Sequence, residues 1–191
     1  MLNEHNRAFK EWALVCDAMK EGLQTVLIRK GGIREEEGVF QVADPEFFLM
    51  PTYEHQNPEL IQDAFVPLLE ESRRIGFDPR SFTIDAYAVV DTVRTCENEE
   101  ILRKLAGEHV WNDRYLELRL NFNAYDPLYV MILRVYRLPA AMTLPLLPEY
   151  GGCKSWVTLD RSLSTAGAAA AIPDSEFQAR RAKLLAILDG N

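Results

Sequence analysis

The run Leu128–Leu138, LYVMILRVYRL, constrains the fold more than any other part of this chain. It is apolar at almost every position and rich in β-branched and aromatic residues. That is the pattern of a central strand covered on both faces, not of a strand with one face in water. One charge interrupts it. A buried guanidinium without a partner is costly, so Arg134 is expected to pair with Glu54 or an acidic residue of the long strand Phe82–Val93, or to contact an anionic ligand.

A second organising stretch, Gln24–Gln56, holds two further apolar runs. Val26, Leu27 and Ile28 read as a short buried strand that leaves through Arg29, Lys30, Gly31 and Gly32. Two successive glycines permit a sharp turn with exposed amides, and amides beside two cations make a candidate anion site, with a solvated hairpin corner as the alternative. The segment fits neither GxxxxGK[ST] nor GxGxxG, so it supports no standard nucleotide loop. Phe47–Met50 form the next strand, closed by Pro51.

The polar segment that follows runs from Thr52 to Gln56. Within it, Glu54 and His55 are candidate acid/base residues, since a carboxylate can raise a histidine that titrates near neutrality. Adjacent residues of an extended chain point apart, which works against a dyad. The competing role is helix initiation, with Thr52 or Asn57 as cap and Pro58 in the first turn.

Elsewhere, helical spacing of Phe9, Trp12, Ala13, Cys16 and Met19 predicts an amphipathic helix over Arg7–Met19. The acidic run Glu35–Glu37 reads as a solvated loop, since adjacent carboxylates repel, and Val39–Val42 as a short strand. Leu60–Leu69 carry a helical stripe that ends near Gly76. Phe82–Val93 alternate as a long strand, with Phe82, Ile84, Ala86, Ala88 and Val90 on one face and Asp85 and Asp91 on the other as surface groups. Asn98 is expected to cap a helix that stops at Gly107, and another helix is expected over Asp113–Phe122. Pro139, Pro145 and Pro148 suggest an irregular or edge segment before a last strand at Ser155–Leu159. Cys153 is expected as a buried small residue, with a nucleophile as the sharper reading.

Net charge of −8 argues against a broad nucleic-acid surface. Cys16, Cys96 and Cys153 are odd in number and form no CxxC, which favours reduced thiols and a cytoplasmic location. The polar N-terminus is no secretory signal, and no apolar run approaches the roughly 18 residues of a membrane span. A hydrophobic fraction of 48% with 26% charged residues is that of an ordinary globular protein.

FKEWALVCDAM, LIRKGGI, FFLMPTYEHQ, PLYVMILRVYRLP and EYGGCKSWV, in this order, resemble the bacterial family known as domain of unknown function 1802. The resemblance covers Phe9–Leu159 and implies that the five blocks belong to one domain; it names no reaction, cofactor or catalytic residue. The reading is therefore an α+β domain over 5–162, with a mainly antiparallel sheet (a mixed sheet being the alternative) packed by helices. An Ala-rich linker over 163–173 and a C-terminal helix over 174–191 follow. The expected function is binding of a phosphate-bearing or otherwise anionic small molecule by Arg29, Lys30, Gly31, Gly32 and Arg134, with Glu54 and His55 moving or positioning protons. A non-catalytic interaction module, recruiting a partner or a second copy through the C-terminal helix, is the alternative. A metal-dependent nuclease or phosphatase is a weaker third, since no compact set of metal ligands stands out.

Overall fold

A computed structural model describes residues 1–30, 34–36, 39–41, 44–122, 127–152 and 154–190, the side chains of 34–36, 39–41, 75 and 76 excepted. The fold is α+β. A 7-stranded sheet runs in the order β2 (Val26–Lys30), β7 (Leu128–Pro145), β6 (Ser81–Thr95), β5 (Glu46–Thr52), β1 (Glu4–Trp12), β8 (Trp156–Ser164), with β9 (Ala169–Ala170) also on β7. Every pairing is antiparallel except β1 with β5. β3 (Arg34–Glu36) and β4 (Val39–Gln41) form a separate small hairpin, so the acidic run expected as a loop begins in a strand. The helices are α1 (Ala13–Lys20), α2 (Val66–Gly76), α3 (Glu99–Lys104), α4 (Asp113–Asn121) and α5 (Asp174–Leu188).

β7 is the covered central strand its sequence predicts. Residues 128–135 are all buried, and β7 has β6 along one side and β2 then β9 along the other. It also runs on to Pro145, past the proline expected to end it. Ile84 pairs with Met142 but Ala86 with Arg137, so Pro139 falls in a gap in the ladder where no backbone donor is needed.

The same irregularity corrects the expected faces of β6. Phe82, Ile84 and Tyr87 belong to one core, Ala86 and Ala88 to the other. A bulge turns the strand over, and strict alternation does not carry through it. Asp85 sits at that point, without a partner in the ladder.

The first helix is shorter than its spacing suggests. Residues 4–12 are strand, and only from Ala13 does the chain turn helical. Phe9 and Leu49 sit side by side in the parallel ladder and face the same core, and those ladder bonds outweigh a weak local preference for helix. The side chain of Gln56 accepts a hydrogen bond from the Leu14 amide at 3.0 Å, which satisfies one of the open donors of α1.

The sheet curls until its edges approach. β2 and β1 are four steps apart in strand order, about 19 Å if the sheet were flat, beyond the reach of one side chain. Yet Arg29 on β2 meets Glu11 on β1 at 3.1 Å and the hydroxyl of Ser155, beside β8, at 2.7 Å. Phe9, Phe47 and Trp156 fill the space between, with ring centroids 4.8–5.3 Å apart.

The segment expected as a linker is structured. Leu163 and Ile172 are buried, the Thr165 amide bonds to the Asn3 carbonyl at 2.9 Å, and Ala169–Ala170 pair with β7 opposite Arg137 and Tyr136. Side chains this small let the backbone lie against the part of β7 that β2 leaves open. α5 then docks on the body of the fold with Phe177 and Leu184 buried. Arg180 donates to the Gly22 carbonyl at 2.6 Å, and Arg181 and Lys183 pair with Asp91 and Glu108.

Candidate functional site

The residues singled out in the sequence fall into separate neighbourhoods. Arg29 is committed inside the curl of the sheet: one guanidinium nitrogen meets Glu11, another meets Ser155, and the group lies 4.9 Å from the Phe9 ring centre. Glu11 is 3% exposed and also accepts a bond from the Trp12 amide. Lys30 donates to the Leu120 carbonyl near the end of α4. Gly31, Gly32 and Cys153 lie outside the described residues.

Arg134 finds its partner elsewhere than expected. It pairs with Asp174 at the start of α5, not with Glu54 or a residue of the long strand, and its guanidinium carbon lies 4.9 Å from the Phe177 ring centre. In strand order it stands five residues beyond Tyr129, the residue opposite Arg29, so about 17 Å away and on the other face. Arg29 and Arg134 therefore do not meet.

Glu54 and His55 are exposed in the turn after β5, where His55 takes φ 61, a conformation that histidine adopts more readily than most residues. The Glu54 amide donates to the Thr52 hydroxyl at 3.4 Å. Of the two expected caps, Asn57 holds the next turn, accepting from the Glu59 amide with Pro58 in the first position. The helical turn there is 3-10 over Pro58–Leu60, and α2 begins only at Val66.

A cleft lies on another side of the same segment. It measures about 640 Å³, within the usual range for small-molecule sites of roughly 300–1,000 Å³. α1 supplies Cys16, Asp17 and Lys20, with Glu21 just beyond it; the end of β5 supplies Pro51 and Tyr53; α2 supplies Leu68, Glu71 and Ser72; Phe77, Asp78 and β6 through Asp85 complete the wall. The β6 bulge is what turns Asp85 toward α1.

Lys20 sits between two carboxylates, 2.8 Å from Asp85 and 3.2 Å from Asp17. Burial pulls its pKa down, but the Asp85 hydrogen bond and both negative charges outweigh that and hold the ammonium above its ordinary range. Burial raises the Tyr53 phenol and, with the nearby charge of Glu11, raises the Cys16 thiol well above its usual value. Cys16 is in this environment an inert thiol. Asp78 is occupied by its own turn, accepting from the Arg80 amide at 2.9 Å and the Ser81 hydroxyl at 2.8 Å, contacts that lower its pKa.

Uncommitted groups remain. Glu21 and Glu71 are exposed carboxylates with no ion pair among the described residues. Ser72 is 7% exposed, and its hydroxyl has no hydrogen-bond partner among the described residues. Phe77 is 60% exposed and meets the Tyr53 ring edge to face at 5.6 Å. Among the described residues no group of three or more His, Cys, Asp or Glu is placed to hold a metal ion.

Sequence reasoning passed over most of this cleft. Tyr53 lay within the flagged polar segment and Asp85 was expected on a surface, whereas Lys20, Glu21, Glu71, Ser72 and Phe77 carried no motif. An acid set among apolar strand residues, as Asp85 is, was the available signal.

Residues 8–183 match the family described as "Domain of unknown function (DUF1802)". That span takes in the Ala-rich segment and most of α5, which the resemblance read from the sequence had left outside. Among curated proteins none matches. Among solved structures the chain is similar to ASCH from Zymomonas mobilis, at 10% identity and a TM-score of 0.43, over 81% of this chain and 87% of that one. Two mutant proteins of the same ASCH are similar at 11% and 9% identity, with TM-scores of 0.43 and 0.42, covering 81% and 96% of this chain and 90% and 99% of theirs. No helix among the described residues is long and apolar enough to cross a membrane.

Proposed function

We propose that this chain, which belongs to the DUF1802 family, binds a small amine-bearing molecule in the cleft between α1, α2 and β6. The observation that carries this reading is the charge balance of the wall. Lys20 is already neutralised by Asp17 and Asp85, which leaves Glu21 and Glu71 as negative charges of the wall with no ion pair among the described residues. A cationic ligand gains from both. Tyr53 and Phe77 add aromatic surface, which attracts an ammonium group through its ring face and packs against an apolar body.

Less supports the anion expected from the sequence. Arg29, Lys30 and Arg134 each already hold a protein acceptor, Glu11, a backbone carbonyl and Asp174, so an anion meets charges that are in part satisfied. The interaction-module reading is weakened in a similar way, because Phe177 and Leu184 of α5 are spent on the chain's own core.

The test is calorimetry and thermal shift with tyramine, an alkylammonium carried on a phenol ring, beside sugar phosphates and nucleotides. A ligand that selects the folded state raises the midpoint, by about 2.7 kcal/mol of stabilisation at a hundred times its dissociation constant. Tyramine is expected to bind, and the double change Glu21→Gln with Glu71→Gln to weaken it about tenfold, or about 1.4 kcal/mol. Binding of phosphates with no response to the amine overturns the reading.

A further inference from the structure

The aromatic part of the cleft wall decides which kind of ammonium it favours. Tyr53 follows β5 and Phe77 follows α2, and both line the cleft. Phe77 is 60% exposed and Tyr53 partly exposed, so neither ring is closed off from a ligand. Their planes are inclined by 73°, with centroids 5.6 Å apart. A cation in the angle between two such rings lies against a face of each, within the roughly 6 Å over which a ring attracts it.

Hydrogen-bond acceptors in the same wall are largely taken. Asp17 and Asp85 both hold the Lys20 ammonium, and Asp78 accepts from the Arg80 amide and the Ser81 hydroxyl. Charge is not taken to the same degree: Asp17, Glu21, Glu71, Asp78 and Asp85 line the cleft against the single cation Lys20. That field acts on a cation with or without N–H groups. A primary ammonium, as it leaves water, also needs acceptors for three donors, and a quaternary one needs none.

From this we infer that the cleft takes a quaternary ammonium, a trimethylammonium group on a small neutral body, seated between the rings of Tyr53 and Phe77. The inference rests on the amine reading above and names the kind of amine. The methyl groups spread the positive charge over a surface that packs on aromatic faces, and the carboxylates supply attraction at longer range.

Two comparisons isolate the parts of the argument. Choline and ethanolamine share one skeleton and differ in three N-methyl groups; the neutral analogue of choline, with a tert-butyl group in place of the trimethylammonium, keeps the shape and loses the charge. NMR titration of the full chain is expected to give choline about fivefold tighter binding than ethanolamine and about tenfold tighter than the neutral analogue, with the choline N-methyl signal moved upfield by the two rings. Phe77→Leu keeps an apolar side chain at an exposed position but removes the ring, and is expected to weaken choline about three- to fivefold with the melting curve unchanged; Phe77→Trp is expected to retain or strengthen it. Ethanolamine binding as tightly as choline, or choline binding unaltered by Phe77→Leu, overturns the quaternary site and leaves the amine reading standing. Equal binding of the neutral analogue overturns the role of charge, and with it the inference. No binding of choline, ethanolamine or tyramine overturns both readings.

Discussion

His109 gives the most direct test of the packing. It lies 2% exposed between α3 and α4, its ring 5.6 Å from that of Trp111. Burial pushes the imidazole down to about 4, against smaller opposing pulls from the Trp111 backbone and Asp113. The unfolded chain, with a histidine of ordinary pKa 6.5, takes up the proton first as pH falls. Stability is thus intact above 6.5 and is lost as pH drops from there toward 4. At about 1.4 kcal/mol per pH unit, and allowing for the gradual onset near 6.5, the loss between pH 7 and pH 5 is about 2 kcal/mol. Glu46, Asp78 and Asp160 have lowered pKa values, and their contributions disappear only as pH falls below the ordinary carboxylate range, so they are silent at pH 5. Urea unfolding of wild type and His109→Leu at pH 7, 6 and 5 isolates the effect, because leucine cannot titrate. Wild type is expected to lose about 2 kcal/mol more than the variant over that range. Parallel losses in the two proteins, or an imidazole already protonated at pH 5 by NMR, refute the argument.

Three further changes probe the scaffold. Gly22 has φ +72, and a Cβ built there falls 2.3 Å from a methyl of Ile172; Gly22→Ala is expected to cost about 2–4 kcal/mol in urea unfolding, with part of it recovered when Ile172→Ala is added. Glu11→Gln leaves Arg29 facing a neutral group in a largely buried pair and is expected to cost about 3 kcal/mol, while replacing both residues by methionine restores most of it; equal costs for the single and double changes dismiss the pair as a closure of the sheet. The Asn98 side chain accepts from the Glu100 and Ile101 amides at the start of α3, so Asn98→Ala is expected to cost about 1 kcal/mol, and a loss under a few tenths counts against the cap.

The architecture was legible wherever a local cause was strong enough. An unbroken apolar run can be covered only in a central strand, and β7 is one. Caps at Asn57 and Asn98 act within two or three residues, so sequence alone locates them. Two misreadings share an origin. The spacing of Phe9, Trp12, Ala13, Cys16 and Met19 crosses the junction of β1 and α1, where the end of a strand and the start of a helix together mimic one helical stripe. The expected faces of β6 presumed a regular ladder, and the break opposite Pro139 belongs to the pairing of two strands rather than to either alone.

That break also explains why the cleft could not be read. Asp85 reaches Lys20 because a ladder irregularity frees it, and Lys20 stands there because α1 starts six residues later than its periodicity suggests. Shift either by one position and the two side chains part, since a single residue moves a strand side chain to the opposite face and a helix side chain by about 100°. Arg29 is drawn away from Arg134 for the converse reason. Arg29 and Lys30 lie on the outermost strand of a sheet that curls, so the apparent free edge faces Glu11 and Ser155 across the closure. A basic pair at the end of an edge strand is available to a ligand only while the sheet stays open, and curvature, which sums small twists over every strand between β2 and β1, leaves no mark on any one of them.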